Sequence, residues 1–179
     1  MSYLETERLR LIPLSHKLLL LWQQDRAAME LQLGLNPSAM VIDAEYQFEM
    51  TDALVNFWLP KTAEFPDKYE WYTNWEIVFK AENKSIGGIG VGYPNEDGVS
   101  ETGFMLDASY QGRGLALEAL KAMLGWAFRN GELKTILART YTHNEACRKL
   151  VQNAGFVQVK EEEGLLHYHK CRRPLVLST

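Results

Sequence analysis

The chain has 179 residues, 46% apolar and 23% charged, a composition that fits an ordinary globular domain large enough to bury a core without disulfides or a structural metal. Its 19 basic and 23 acidic side chains leave a net charge of −4 and a pI near 5.6, which argues against nonspecific binding to nucleic acid. The run Leu18-Leu19-Leu20-Leu21 is far too short to span a bilayer, no secretory leader is legible, and Cys147 and Cys171 lack metal-site spacing. The expectation is a cytoplasmic protein with reduced thiols, folded as one domain over residues 1–179.

Arg8 to Pro13 alternates as a first strand, and Pro13-Leu14-Ser15 supplies a stop and an N-cap. Apolar residues at helical spacing from Lys17 to about Leu33 predict a helix closed by Gly34 and Asn36-Pro37. A second helix is predicted over Ala44 to Trp58, with Phe48, Leu54, Val55 and Trp58 on its buried side and Pro60 as its terminator. Trp71 to Phe79 is aromatic and β-branched, hence a strand; Glu82-Asn83-Lys84 reads as a turn and Ser85 to Tyr93 as the next strand. Gly87, Gly88, Gly90 and Gly92 would weaken that strand unless something approaches it closely or the sheet bends.

Asn95-Glu96-Asp97-Gly98 predicts a hairpin that returns antiparallel as Val99 to Leu106. Leu117, Leu120, Leu124 and Phe128 mark a helix over Leu115 to Asn130, with Gly131 as its C-cap. Ile136 to Thr142 reads as a strand, and Asn144 N-caps a helix that stops at Gly155. Phe156 to Lys160 and Leu165 to Lys170 form a last strand pair about Glu161-Glu162-Glu163-Gly164. The order is that of an α/β (α+β) protein, a mixed sheet covered by helices, without repeats, low-complexity tracts or linkers.

The segment Tyr110-Gln111-Gly112-Arg113-Gly114-Leu115-Ala116 lies between a strand-like stretch and the start of a long helix. Backbone N–H groups at a helix start have no intrahelical partner and sit at the positive end of the dipole, so an anion is held there by hydrogen bonds and by charge. Gly112 and Gly114 let the backbone approach closely, Ala116 adds little bulk, and Arg113 offers a cation.

That run, Gln-x-x-Gly-x-Ala, resembles the acyl-CoA pyrophosphate loop of the GNAT N-acetyltransferase superfamily, and Asn144-Glu145-Ala146-Cys147 through Gly155-Phe156 resembles its later signature. Leu4-Glu5-Thr6-Glu7-Arg8-Leu9-Arg10-Leu11 is similar to the start of the branch of ribosomal-protein N-terminal acetyltransferases. The resemblance implies a mostly antiparallel central sheet of six to seven strands flanked by about four helices. It also implies that the sheet parts between Phe104-Met105-Leu106 and Leu137-Ala138-Arg139, so Phe104, Met105, Leu106, Gln111, Gly112, Arg113, Gly114, Leu115, Ala116 and Asn144 are the residues expected to bind acetyl-CoA, without a metal.

Acetyl transfer needs a deprotonated amine, an oxyanion stabiliser and a proton for the leaving thiolate. The resemblance implies backbone N–H groups near Met105 or Leu106 for the oxyanion. It puts Glu101 where several members take the amine proton, a role that requires burial to raise its pKa; the alternative is a solvated hairpin residue. The usual acid is a Tyr seven residues after the Asn, and here Val151 stands there. In the ribosomal-protein branch a Ser three residues after the Asn is implied instead, a place held by Cys147, which is either a proton donor or a small buried residue. Tyr141 and Tyr168 have no positional support. Asn144 caps its helix, binds the pantetheine arm, or both.

His167 and His169 share one strand face, and a surface or core pair fits them better than a metal site; His143 is a loop residue beside Asn144. Trp22, Trp58, Trp71, Trp75 and Trp126 read most simply as core; the resemblance, which builds the acceptor cleft from the first two helices and the loop after the third strand, implies Trp22, Trp58, Tyr72, Tyr93 and Glu96 as candidate acceptor-site residues. The expected function is direct transfer of acetyl from acetyl-CoA to a primary amine, on a protein N-terminus or a small molecule, by a monomer or homodimer without nucleic-acid or membrane partners. A noncatalytic acyl-CoA-binding sensor is the alternative that Val151 favours. A dinucleotide-binding domain fails for want of repeated parallel β-α-β units.

Overall fold

The structure, a computed structural model, describes residues 3–42 and 44–172. Eight strands form one sheet: β1 (Leu4–Glu5), β2 (Leu9–Pro13), β3 (Trp75–Phe79), β4 (Lys84–Val91), β5 (Val99–Leu106), β6 (Thr135–Tyr141), β7 (Val157–Glu162) and β8 (Leu165–Cys171), in the spatial order β1-β2-β3-β4-β5-β6-β8-β7. All pairings are antiparallel except β5 with β6, which is parallel and joined by the crossover helix α5 (Leu115–Ala127). Six α-helices lie among the described residues, two more than expected from sequence; α6 (Glu145–Asn153) sits beside α5.

Alternation in the strands divides the sheet between two cores. Leu9 and Leu11 of β2, Ile77 and Phe79 of β3, and Ile89 and Val91 of β4 pack with Leu115, Ala119, Leu120, Met123, Leu124 and Ala127 of α5, all of them buried. On the opposite face Ile12 and Val78 meet Leu35, while Leu14, Leu18, Leu19, Met29, Leu54 and Leu59 form a separate cluster under the first helices. Burial of such side chains is worth roughly 1.5–3 kcal/mol each and is the main term opposing chain entropy.

Several elements depart from the sequence pattern. The helix expected over Lys17 to Leu33 is two, α1 (His16–Gln24) and α2 (Arg26–Gln32). Asp25 between them is extended, its N–H donates to the Leu21 carbonyl, and its side chain accepts from the Ala28 N–H, so one residue ends a helix and caps the next. The second helix does not stop at Pro60. It runs as α3 (Ala44–Ala53), a π-turn at Leu54–Trp58 and α4 (Leu59–Glu64), and Pro60 falls in the first turn of α4, where a missing N–H costs little.

Leu54 of that helix is buried as expected, but Phe48 and Val55 are exposed, because the helix edge carrying them faces solvent and not the sheet. The strand expected from Trp71 begins only at Trp75, since Pro66–Trp71 coils as a 3-10 helix and residues 72–74 cross over β4. Helix α5 ends at Ala127 with Phe128 as its C-cap, so Gly131 lies beyond the cap. The hairpins at Asn95 to Gly98 and Glu163-Gly164 form, with Gly98, Glu163 and Gly164 at positive φ.

Candidate active site

The sheet forks at its parallel pair. β5 and β6 are joined only at Val99↔Thr135, Ser100↔Ile136 and Glu101↔Leu137; beyond that, residues 102–106 pair only with β4 and residues 138–141 only with β8. Asp107 N–H donates to the Ile86 carbonyl and Gly92 N–H to the Glu101 carbonyl. The odd-numbered residues of β5 therefore point their backbone groups at β4, and the even-numbered ones point theirs into the fork. Leu106 and Phe104 thus present N–H groups to the gap, whereas that of Met105 is turned to β4.

A cleft of about 890 Å³ runs from this fork along the α3 side of the sheet. Its lining includes Tyr46, Glu49 and Met50 of α3, Phe57, Trp58, Trp71 and Tyr93, the strand segments 88–92, 99–105 and 137–141, and Asn144 and Cys147 of the α6 start. Trp58 and Tyr93 thus reach the cleft as anticipated. Tyr72 stacks behind Tyr93 at 6.0 Å between ring centroids, and Trp22 lines a smaller neighbouring cavity of about 300 Å³. Trp75 is fully buried, and Trp126 lies partly exposed against Trp71 and Trp75. Glu96 is an exposed residue of the hairpin turn outside the cleft lining.

At the open end of the fork, β5 leads through Asp107 into the glycine turn. Asp107 is buried, and desolvation would raise its pKa. The hydrogen bonds from Ser109 and from the Val41 N–H outweigh that and hold it below the ordinary carboxyl value. Gly112 and Gly114 adopt φ of +72° and +75°, where other residues are strained, and both are exposed. Gly114 opens α5 without a side-chain cap, and the Glu118 N–H is the first to bond back into the helix, to the Gly114 carbonyl. The Leu115, Ala116 and Leu117 N–H groups have no intrahelical acceptor.

Gln111 donates from Nε2 to the Leu106 carbonyl, pinning the turn to the fork. The Arg113 guanidinium lies over the Phe79 and Tyr110 rings at 5.1 and 5.3 Å from their centroids. Arg8, expected only as part of the first strand and of the opening motif, clamps this turn: it donates to the Arg113 carbonyl at 3.0 Å and to Glu118 Oε2 at 2.7 Å. The uncapped amides, two flanking cations and open glycines fit a pyrophosphate group.

Asn144 caps α6, its Oδ1 accepting from the Cys147 N–H at 3.0 Å. Its Nδ2 donates to the Tyr46 hydroxyl at 3.1 Å, a contact from α3 that no local sequence signal announced. Burial pushes the Cys147 thiol above its ordinary pKa, with a hydrogen bond to Thr140 pulling weakly the other way. Val151 is buried in the core, and its hydrocarbon side chain has no proton to donate. Glu101 is exposed and held by Arg139 through two hydrogen bonds, so the burial expected of a base is absent.

Tyr46, Arg8 and Asn74 are the site neighbours that the sequence did not announce; Arg139 was expected as one arm of the fork, but not as the partner of Glu101. The glycines of β4 were the one legible hint of Asn74, since they announced a close approach. Tyr141 stacks on His143 at 5.4 Å, and Tyr168 is fully buried away from the cleft. His167 and His169 pair with Arg139 and Leu137 on β6, and among the described residues no three His, Cys, Asp or Glu side chains converge as a metal site. None of the described helices is long and apolar enough to cross a membrane.

Comparison with known proteins agrees with this geometry. The uncharacterized N-acetyltransferase YjdG of Bacillus subtilis is 31% identical over 87 residues, 48% of this chain and 52% of that protein. The uncharacterized N-acetyltransferase p20 of Bacillus licheniformis is 29% identical over 102 residues, 56% and 55% of the two. The chain thus spans about half the length of the curated relatives it matches. Among solved structures, the ribosomal-protein-S5-alanine acetyltransferase of Vibrio fischeri superposes with a TM-score of 0.65 at 19% identity, covering 96% of this chain and 97% of that one. RimL, a ribosomal alpha-N-protein acetyltransferase in complex with coenzyme A, gives 0.63 at 14%, covering 95% and 98%. At these identities the structural likeness is one of fold. The acetyltransferase (GNAT) domain pattern matches residues 8–157, from the clamp residue Arg8 through both arms of the fork to the start of β7, and on that match the chain belongs to the GNAT acetyltransferase family.

Proposed function

We propose that the protein transfers the acetyl group of acetyl-CoA directly to a primary amine. The observation that carries this is the fork between β5 and β6 opening beside the uncapped start of α5: a gap in the sheet meets a backbone anion site. Acetyl-CoA supplies the activated thioester. The N–H groups of Leu115, Ala116 and Leu117 bind its pyrophosphate, with Gly112 and Gly114 allowing close approach and Arg8 and Arg113 adding charge. The fork takes the pantetheine arm between Phe104-Met105-Leu106 and β6, with Asn144 beside it.

The acceptor amine enters from the α3 side. Its attack on the thioester carbon forms a C–N bond and places charge on the carbonyl oxygen, which the fork-facing N–H groups of Leu106 and Phe104 stabilise; one such donor is typically worth ~3 kcal/mol. The amine proton leaves through solvent to Glu101, which is exposed at the branch point and held by Arg139, so it acts as a water-linked acceptor and not as the buried base the resemblance implies. As the C–S bond breaks, Cys147 is the proton source for the departing thiolate: burial keeps it protonated, while making it a weaker acid than an ordinary thiol. The same property disfavours a covalent route through Cys147.

The acceptor is a protein N-terminal α-amine or a small-molecule amine; the branch resemblance in Leu4 to Leu11 favours the first. Calorimetry with acetyl-CoA tests the reading. The native chain is expected to bind, and Gly114→Trp, which fills the turn, is expected to lose binding while keeping its cooperative melt. An absence of binding to the native chain refutes the proposal. Binding without turnover on any amine supports a sensor instead.

A further inference from the structure

The α3 side of the sheet is paved with glycine where the cleft crosses it. Gly88 and Gly90 alternate on β4, with Gly92 just past its end, and Gly90 stands opposite Gly103 of β5, as Gly88 does opposite Met105. The bareness has a cause. A Cβ at Gly88 would lie 2.2 Å from Asn74 Oδ1, and one at Gly90 would lie 3.2 Å from the Thr73 carbonyl oxygen. At Gly103 a Cβ would meet nothing within 4 Å, so it looks onto open cleft.

Asn74 is only 5% exposed, yet it lines the cleft. Its Nδ2 donates to Glu76 Oε1 at 2.8 Å. Glu76 is fully buried and paired with Arg26, whose Nη2 lies 2.7 Å from Oε2, and it accepts the Ser85 hydroxyl as well. With Glu76 accepting from Arg26, Ser85 and Asn74, the Asn74 amide turns its nitrogen toward Glu76 and its oxygen toward Gly88 and the cleft. Oδ1 accepts no hydrogen bond among the described residues. An oxygen held this way at the cleft wall, with no protein donor, is open to water and to a donor that arrives with a ligand.

We propose that Asn74 Oδ1 is the seat of the acceptor nitrogen: it takes a hydrogen bond from the incoming primary amine, which slides over the glycine floor with the Thr73 carbonyl as a neighbouring acceptor. This rests on the acetyl-transfer reading and specifies its substrate class, an amine that keeps an N–H to donate when it lies over Gly88 and Gly90. The seat lies opposite Met105, and Glu101 occupies the same face two residues before Gly103. Glu76 and Arg26 act through Asn74 and are positioning residues.

The test is a titration of the full chain, selectively labelled with 15N in its asparagine side chains, with methylammonium chloride against sodium chloride at constant ionic strength. The Asn74 amide resonance, identified by its loss in Asn74→Ala, is expected to shift saturably with methylammonium. It should stay still with tetramethylammonium, which has the same charge and no N–H. Gly103→Leu, whose side chain enters open space, should abolish the shift. No saturable shift, an equal response to tetramethylammonium, or an undiminished shift in Gly103→Leu overturns the proposal. Failure of the native chain to bind acetyl-CoA would sink the transfer reading while leaving this titration as it stands.

Discussion

Glu101 and Arg139 close a two-point ion pair across the fork of the sheet, with Nε to Oε1 at 2.6 Å and Nη2 to Oε2 at 2.9 Å. Glu101 is the last residue of β5 paired to β6, and Arg139 lies on the arm that diverges. Both side chains are over 40% exposed, so the pair contributes little to stability, about 0–1 kcal/mol. Its value is in fixing a carboxylate at the branch point. Glu101→Gln is therefore expected to lower kcat by roughly 10²–10⁴-fold, with acetyl-CoA affinity retained and the melting midpoint within about 4 °C of native. Steady-state release of coenzyme A thiol, read beside a thermal melt, decides it: unchanged turnover removes Glu101 from the chemistry.

The two cysteines should react very differently. Alkylating reagents attack thiolate, and burial holds the Cys147 thiol above its ordinary pKa, whereas Cys171 lies exposed at the end of β8. Iodoacetamide at neutral pH is expected to label Cys171 first, with Cys147 slower by roughly tenfold or more. Peptide mass mapping over a time course reads this directly. Cys147→Ser should keep most turnover because it retains a donor, and Cys147→Ala should not. Equal labelling rates would exclude a thiol kept protonated by burial, and with it the proton-donor role.

Much of the fold was legible because its signals are local. Asn144 as a cap, Asn95 to Gly98 as a hairpin and the heptad-like spacing of Leu117, Leu120 and Leu124 each depend on a few neighbouring residues, and each formed where the pattern put it. The break at Asp25 was missed because apolar spacing runs on through it; the decisive fact, one aspartate serving two helix ends, is a matter of backbone geometry. Phe48 and Val55 were assigned to the core because an apolar residue on a helix reads as buried, while which edge of a helix faces the sheet is set by distant packing. In the site the glycine turn was readable. Arg8, 105 residues from the carbonyl it clamps, and Tyr46, 98 residues from Asn144, were not.

Glu118 ties the first strands to α5 and makes stability depend on acid. Burial works to raise its pKa, but hydrogen bonds from the Thr6 hydroxyl, the Arg8 N–H and the Arg8 guanidinium outweigh that and hold it below the ordinary carboxyl value. A depressed folded pKa stabilises the protein above the unfolded value, near 4.3, and that stabilisation is lost as pH falls through the folded value. Glu118→Gln should cost roughly 1–3 kcal/mol at pH 7. The gap between variant and native protein should narrow as the medium is acidified below about pH 4. Urea melts at the two pH values measure it; a gap that widens on acidification would contradict the assignment.

Arg26 stands between two buried carboxylates. Its Nη2 is 2.7 Å from Glu76 Oε2, and its Nε is 3.1 Å from Glu30 Oε1, out of line for a hydrogen bond, so that second contact is an ion pair alone. Glu30 also accepts the backbone N–H and the hydroxyl of Ser38. Arg26→Met would leave two desolvated carboxylates without a cation, at a cost of about 3–5 kcal/mol, which for a chain of this length lowers the melting midpoint by roughly 6–20 °C. Replacing all three, Arg26→Met with Glu30→Gln and Glu76→Gln, removes the uncompensated charge and should recover most of that loss, because the penalty lies in the orphaned carboxylates more than in the missing attraction. A triple variant no more stable than Arg26→Met would instead assign the loss to packing of the guanidinium on the Trp22 ring, 4.6 Å away. Such an outcome would also weaken the case that Glu76 alone fixes the orientation of Asn74.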